Sequence, residues 1–374
     1  MAAEFPLDPS LIYLNHAAVA PWPRRTARAV ERFARENMEQ GATHYPRWLE
    51  VERRLRGQLA RLINAPSPDD ISLLKNTSEG LSVVAWGIDW RAGDNLVSFR
   101  QEFPSNRIVW ESLAPLGVEV RLVDLDAGES PEAALLGRCD ERTRLVSTSS
   151  VQYAAGLRID LERIGAFCRE RGILFCVDAI QSLGALPFDV QRVAADFVVA
   201  DGHKWMLGAE GVALFYSRQA LRQTLRLHQY GWHMVERPGA FDAPAWSPSP
   251  TGTRFECGSP NMLGIHGLSA SLSLIEEVGV PEIEWRIIRA TDRLIGLIQA
   301  HPGRVDLLSD PAPARRSGII TFRPRDADPD AVCRKLMNQG VICAARGGGI
   351  RFSPHFHTPL QQLDVAWERL LDCL

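Results

Sequence analysis

From about residue 70 onward the chain alternates short, nearly uninterrupted apolar runs with longer amphipathic stretches, and this alternation restricts the fold most. The apolar runs at 71–75, 95–99, 118–123, 143–148, 173–178 and 197–200 have strand length. The segments 78–86, 105–116 and 161–171 between them carry helical spacing. Strands that are apolar on both faces belong to a mostly parallel sheet with helices covering both sides. The pattern predicts an α/β fold with a large domain of that kind.

With 374 residues the chain is long enough for two domains. The stretch 237–250, RPGAFDAPAWSPSP, has no periodicity and reads as a loop or lid, with Trp232 and Trp246 flanking it as packing residues. Beyond it come two helical patterns, 263–277 and 281–300, and two short strand candidates, 317–322 and 341–344. That order suits a smaller α+β C-terminal domain. The expected division is an N-terminal segment 1–20 packing on the small domain, a large domain 21–258 and a small domain 259–374.

The formal net charge is −3 with both signs interspersed, so nothing points to nucleic acid or to an anionic membrane surface. A small-molecule partner is the expectation. No apolar run approaches the roughly 18 residues that cross a bilayer. Residues 1–9 show no secretory pattern. The seven cysteines are scattered and never form a C-x-x-C pair, which reads as reduced thiols in a cytoplasmic protein. His16, His44, His228, His233 and His357 have no metal-like spacing, so no metal site is expected.

Three stretches carry chemistry. In Asp201-Gly202-His203-Lys204-Trp205 a lysine leaves the end of a buried strand, where ligands sit in open α/β sheets. Desolvation there favours the free amine, which attacks carbonyls. The alternative is a surface lysine that follows a turn. In Val177-Asp178-Ala179-Ile180-Gln181 a carboxylate ends another strand, and burial obliges it to find a cationic or donor partner. The protonated ring nitrogen of pyridoxal phosphate (PLP) is such a partner, and Gln181 could donate to the ring hydroxyl. The alternative is that Asp178 caps the following helix. Finally, Lys75-Asn76-Thr77-Ser78-Glu79-Gly80 joins a strand to a helix, where free N–H groups and hydroxyls can cradle a phosphate. Capping by Thr77 or Ser78 is again the alternative.

Taken together, these stretches resemble the class V, cysteine-desulfurase-like branch of the fold-type I PLP enzymes. Tyr13-Leu14-Asn15-His16-Ala17-Ala18 is similar to that family's opening motif. Glu102-Phe103-Pro104-Ser105-Asn106 resembles its E-H-x-x-N segment, whose second residue stacks on the cofactor. Arg254-Phe255-Glu256-Cys257-Gly258-Ser259-Pro260-Asn261 resembles R-F-E-x-G-T-P-N, and Arg351-Phe352-Ser353 resembles the C-terminal arginine motif. The resemblance implies PLP held as a Schiff base on Lys204, Asp178 on the ring nitrogen and Gln181 on the ring oxygen. It also implies Thr77, Ser78 and His203 on the phosphate, and Ser259 reaching the phosphate of a second subunit in a homodimer with shared sites. Arg351 would bind a substrate carboxylate, and Asn106, Tyr153 and His16 are further substrate-side candidates.

The departures narrow the function. Phe103 stands where desulfurases place a histidine; a phenyl ring stacks but moves no proton. Asp201 replaces a phosphate-binding serine and should point elsewhere. Tyr153 replaces an asparagine near the ring hydroxyl. Arg346 and Arg351 are joined only by Gly347-Gly348-Gly349-Ile350, where desulfurases carry a cysteine loop; Cys343 reads as a core thiol. A persulfide-forming desulfurase is therefore disfavoured. Transamination of a small amino acid or amine is the expected reaction. A C–S or C–Se lyase or an epimerase is the alternative, and an inactive PLP-binding scaffold the non-enzymatic one.

Overall fold

The computed structural model describes residues 3–374, so residues 1–2 of the expected N-terminal segment lie outside the described residues. The chain opens with a two-residue strand, β1 (Ile12–Tyr13), and two long helices, α1 (Arg24–Gln40) and α2 (Tyr45–Leu62). Then β2 (Ile71–Leu74), α3 (Thr77–Gly87), β3 (Asn95–Phe99), α4 (Pro104–Glu111), β4 (Glu119–Val123), α5 (Pro131–Leu136), β5 (Thr143–Ser149), α6 (Leu161–Arg171) and β6 (Leu174–Asp178) follow in alternation. The large sheet closes with α7 (Val190–Val193), β7 (Phe197–Asp201) and β8 (Ala213–Ser217).

These strands form one seven-stranded sheet in the order β2-β8-β7-β6-β5-β3-β4. Only β8 runs against its neighbours; the other pairings are parallel. The alternation of side chains within a strand explains why the runs read as continuously apolar. In β7, Val198 and Ala200 face a core shared with α2 and α6, while Phe197 and Val199 face a second core under α3 and α4. Helix α4 stops at Glu111, short of the predicted 116, because Pro115 cannot continue it; a 3-10 turn, Ala114–Leu116, follows.

The C-terminal part begins after α8 (Gln219–Arg222) and the Pro-rich loop. It comprises α9 (Met262–Val278), α10 (Val280–Gln299), β9 (Val305–Leu307), β10 (Ile320–Pro324), α11 (Pro329–Asn338), β11 (Val341–Ile342), β12 (Ala344–Arg346), β13 (Gly349–Phe352) and α12 (Leu360–Cys373). An antiparallel sheet, β12-β13-β10-β9, packs beneath α10, α11 and α12 around Phe322, Phe352 and Trp367. β1 pairs in parallel with β11, which ties the N-terminal segment to this part. Helix α9 packs instead on α1 and α2, and its Ile265, Leu268 and Leu272 belong to the large core. We propose that the division between the two packing units falls within α10, beyond the residue 258 expected from composition. Trp232 and Trp246 are not buried packing residues: they are 43% and 62% exposed.

Candidate active site

Five strand ends open on one cavity of about 370 Å³. β2 delivers Asn76, Thr77 and Ser78; the segment after β3 delivers Phe103 and Ser105; β5 delivers Ser149 and, further on, Tyr153. β6 ends in Asp178, followed by Gln181, and β7 ends in Asp201, followed by His203 and Lys204. Arg346 and Arg351, from the β12–β13 hairpin, and Ala17 and Ala18 close the far side. Carboxyl ends of parallel strands are where side chains leave the packed layer, so the cavity lies where the topology puts it.

Lys204 sits half-buried in a tight turn in which the Leu207 N–H donates to the Lys204 carbonyl at 3.0 Å. Leu207 takes a left-handed φ of 60°, and strain of this kind persists only where packing overdetermines it. Gly184 makes room for the turn. It has a φ of +94°, and any Cβ there would lie 2.2 Å from the Trp205 carbonyl oxygen. Burial draws the Lys204 amine down to about 8, against the opposing pull of Asp178. The same cause pushes the Asp178 carboxyl up to about 6, while the Ile180 N–H and the Lys204 charge act the other way. Asp178 accepts from the Ile180 N–H at 3.0 Å and from Asn106 Nδ2 at 2.7 Å. The carboxylate does cap the turn that follows β6, yet still lines the cavity.

The helix cap at α3 is neither Thr77 nor Ser78. Asn76 accepts from the Glu79 N–H at 2.9 Å, and among the described residues nothing accepts from the Thr77 or Ser78 N–H groups. Those two N–H groups, at a helix N-terminus beside a cavity, suit a phosphate. Gly80 lets the first turn of α3 press on β7: a Cβ there would meet Val199 Cγ1 at 2.6 Å. The Asp201 N–H donates to Thr77 Oγ1 at 3.1 Å across that contact. Asp201 Oδ1 lies 3.1 Å from His203 Nδ1, so the carboxylate faces the histidine while still bordering the cavity.

Gln181 donates to the Ala17 carbonyl at 3.0 Å and accepts from Trp205 Nε1 at 2.8 Å, which leaves one amide hydrogen for a ligand. Phe103 meets Tyr153 edge to face at 5.3 Å, and its ring centroid is 5.7 Å from Lys204 Nζ. Arg351 is 2% exposed, donates to the Tyr153 carbonyl at 2.7 Å, and leaves Nε without a partner. Burial, reinforced by Arg346, pulls its pKa down to about 10. A buried guanidinium without an acid partner is a receptor for a ligand anion.

Two sequence assignments need correction. Asn106 is fully buried behind Asp178, and its amide holds that carboxylate instead of touching a substrate. His16 is also fully buried, and Ala17 and Ala18 are what its segment presents to the cavity. Its ring packs with His355 and His357, and its Nδ1 is 2.9 Å from the Ser353 carbonyl. Ser259 is exposed and lies outside this cavity, in a groove with Lys75 and Gly211. The sequence reading passed over Ser149, an ordinary residue type at a strand end with no motif of its own, and gave Asn76 no role within its stretch. Elsewhere Glu52, His233 and Glu256 bring three potential ligand atoms within 4.8 Å, but Arg56 already donates to both carboxylates. That group is an ion-pair network joining α2 to β2.

The cavity fits PLP on these grounds: an amine of lowered proton affinity, a buried acid, free N–H groups at a helix start and an unpaired guanidinium. The family model for Aminotransferase class-V matches residues 12–360. A protein of Methanothermobacter thermautotrophicus named "Probable cysteine desulfurase" is 30% identical over 98% of this chain and 96% of its own. The cystine C–S lyase C-DES, solved with its reaction product cysteine persulfide, superposes with a TM-score of 0.91 at 26% identity, covering 98% of this chain and 99% of that one. A mutant of C-DES with glycine covalently linked to its PLP cofactor also superposes with a TM-score of 0.91, at 25% identity over 100% of this chain and 99% of that one. These relatives overturn the expectation of transamination, because their names describe cleavage of carbon–sulfur bonds. The chain belongs to the class V aminotransferase family of fold-type I, PLP-dependent enzymes.

Proposed function

We propose that this enzyme is a C–S lyase that eliminates a sulfur leaving group from a small β-thio amino acid, with cystine the best-fitting substrate. The β12–β13 hairpin is the observation that carries this reading. It joins Arg346 to Arg351 through a tight Gly347-Gly348 turn, and among the described residues no cysteine lines the cavity. Cys343, just ahead of the hairpin, is 3% exposed, and its sulfur lies 3.6 Å from that of Cys333 inside the small core. With no enzyme thiol to receive sulfur, the sulfur must leave as a small product. Arg346 adds a second cation at the cavity, without an acid partner among the described residues, which suits a substrate bearing a second carboxylate.

PLP, when bound, supplies the electron sink for the pair released as the Cα–H bond breaks. The residues of this chain would do the rest. Lys204 would hold the cofactor covalently and then take the Cα proton, since Phe103 beside it can only stack. Asp178 would keep the ring nitrogen protonated, and Gln181 would donate to the ring oxygen. Thr77, Ser78 and His203 would hold the phosphate, and Arg351 the substrate α-carboxylate, with Tyr153 forming the wall beside it. Loss of the proton and cleavage of Cβ–S would release cysteine persulfide from cystine. Addition of one water to the remaining fragment would give pyruvate and ammonia, which balances the reaction.

A homodimer fits the surface. Tyr230, Trp232, Phe241 and Trp246 expose a large aromatic patch around a second cavity of about 670 Å³, and Ser259 is free to reach another subunit. The seven free thiols suit the cytoplasm. Among the described residues no helix is long and apolar enough to cross a membrane. The test is to incubate the purified, PLP-loaded protein with cystine, cysteine and a panel of other amino acids. Pyruvate, ammonia and persulfide from cystine in equal amounts support the reading. Alanine from cysteine, or a 2-oxo acid formed together with the amine form of the cofactor, would sink it.

A further inference from the structure

The cavity has a second buried carboxylate behind it that the chemistry above does not use. Glu102 lies between β3 and α4, is 5% exposed, and accepts from the Ser149 N–H at 2.8 Å, Gln152 Nε2 at 2.9 Å and Thr148 Oγ1 at 3.2 Å. It accepts from the Ser149 hydroxyl as well. The Ser149 N–H and the Gln152 amide can only donate, and the Thr148 and Ser149 hydroxyls are free to donate as well, so the set suits an ionised carboxylate. Among the described residues no lysine or arginine pairs with it.

All the donors come from one place, the end of β5 and the segment after it. Ser149 is the register partner of Asp178 across the β5–β6 pair, and it lines the cavity. We propose that Glu102 is a positioning residue for the cofactor's acid partner: an ionised carboxylate beside Asp178 that clamps the end of β5 and adds negative field at the ring-nitrogen end of the cavity. Burial is the main cause that lifts the Asp178 carboxyl, and the charge of Glu102 lifts it further. Burial also lifts Glu102 itself, and its hydrogen bonds from Ser149, Gln152 and Thr148 oppose that. Two anions beside one ring nitrogen hold its proton more firmly than one would. The proposal rests on Asp178 facing that nitrogen.

The experiment compares Glu102→Gln, Glu102→Asp and Asp178→Asn with the unsubstituted protein, all loaded with PLP. The readout is the pH at which the visible absorption band of the bound cofactor titrates. Glu102→Gln should shift that pH down by roughly half a unit or more. Its kcat should fall about tenfold with KM within about twofold. Glu102→Asp, which keeps the charge, should titrate near the original pH. A Glu102→Gln protein that folds, binds PLP and titrates unchanged, while Asp178→Asn is shifted, overturns the role of Glu102 alone. An unshifted Asp178→Asn overturns the ring-nitrogen reading on which the proposal stands. Should Glu102→Gln fail to fold, infrared spectroscopy of the glutamate-labelled, unsubstituted protein decides. An ionised Glu102 at neutral pH supports the proposal, and a protonated one ends it.

Discussion

Lys204 must be neutral to attack an aldehyde, and its surroundings prepare it for that. Burial lowers its proton affinity to about 8, so the free amine is already a sizeable minority at neutral pH. The rate at which cofactor-free protein develops its visible band on adding PLP should therefore rise with pH and level off above about 8. Stopped-flow absorbance checks this; a rate that stays flat across that range, or a band that forms normally in Lys204→Ala, would remove the lysine from its role. Asp178→Asn should bind PLP and lose nearly all turnover, since the amide can sit in the same space but cannot stay anionic. The sequence showed Lys204, Asp178 and Thr77 because each ends or follows an apolar strand, and strand ends in this topology face the crevice. It did not show where Asn106 and His16 point. Their side chains turn away from the cavity because the Asp178 oxygen and the Ser353 carbonyl offer buried partners. Neighbours from distant strands set those directions, and no local pattern carries them.

At the scale of elements, close approach and hairpin geometry matter most. Helix α3 brings its N-terminus to the cavity only because Gly80 lets it lie directly on β7. Gly80→Val should force that helix away and cost on the order of 1–3 kcal/mol, measured as a lower urea midpoint, with weaker PLP binding. The glycine hairpin presents two arginines in different settings, one buried and one exposed. Arg351→Gln should raise KM for a carboxylate-bearing substrate by roughly a hundredfold, and have little effect on an amine analogue without the carboxylate. Equal losses on both substrates would assign the arginine to folding instead. The six strands expected at 71–75, 95–99, 118–123, 143–148, 173–178 and 197–200 are all present, and each is shifted by no more than a residue at either end. Long apolar runs with both faces buried announce themselves. The strands β9, β12 and β13 went unread because they are three or four residues long and hold Asp306, Arg346, Gly349 and Arg351. Pairing, of β9 and β13 with β10 and of β12 with β13, and not composition, makes them strands.

Across the whole molecule, the N-terminal segment, the C-terminal part and the lysine turn meet at a buried cluster of three histidines. His355 Nε2 is 3.1 Å from the Trp205 carbonyl, and His16 Nδ1 is 2.9 Å from the Ser353 carbonyl. The rings of Tyr13, Trp205, His355 and His357 surround His16, and among the described residues no carboxylate faces it. A proton arriving there would be an uncompensated buried charge, so burial lowers His16 to about 4 and holds His355 and His357 well below the usual imidazole range. The unfolded chain takes these protons below about pH 6.5 while the folded chain refuses them. Stability that is complete above that pH is therefore lost as the pH falls toward 4, by roughly 3 kcal/mol for His16 alone. Asp178 works in the opposite sense over part of the same range, because its raised carboxyl lets the folded state bind a proton early. Glu102, Asp70 and Asp196, also lifted by burial, act with it, so the His16→Asn comparison is what isolates the ring. The most strongly depressed carboxylates, such as Glu132 at about 2, titrate below this window. Urea unfolding of the PLP-free protein between about pH 7 and pH 5 should show a steep loss that is shallower in His16→Asn. A pH dependence unchanged in His16→Asn would mean that a proton on this ring is compensated within the fold.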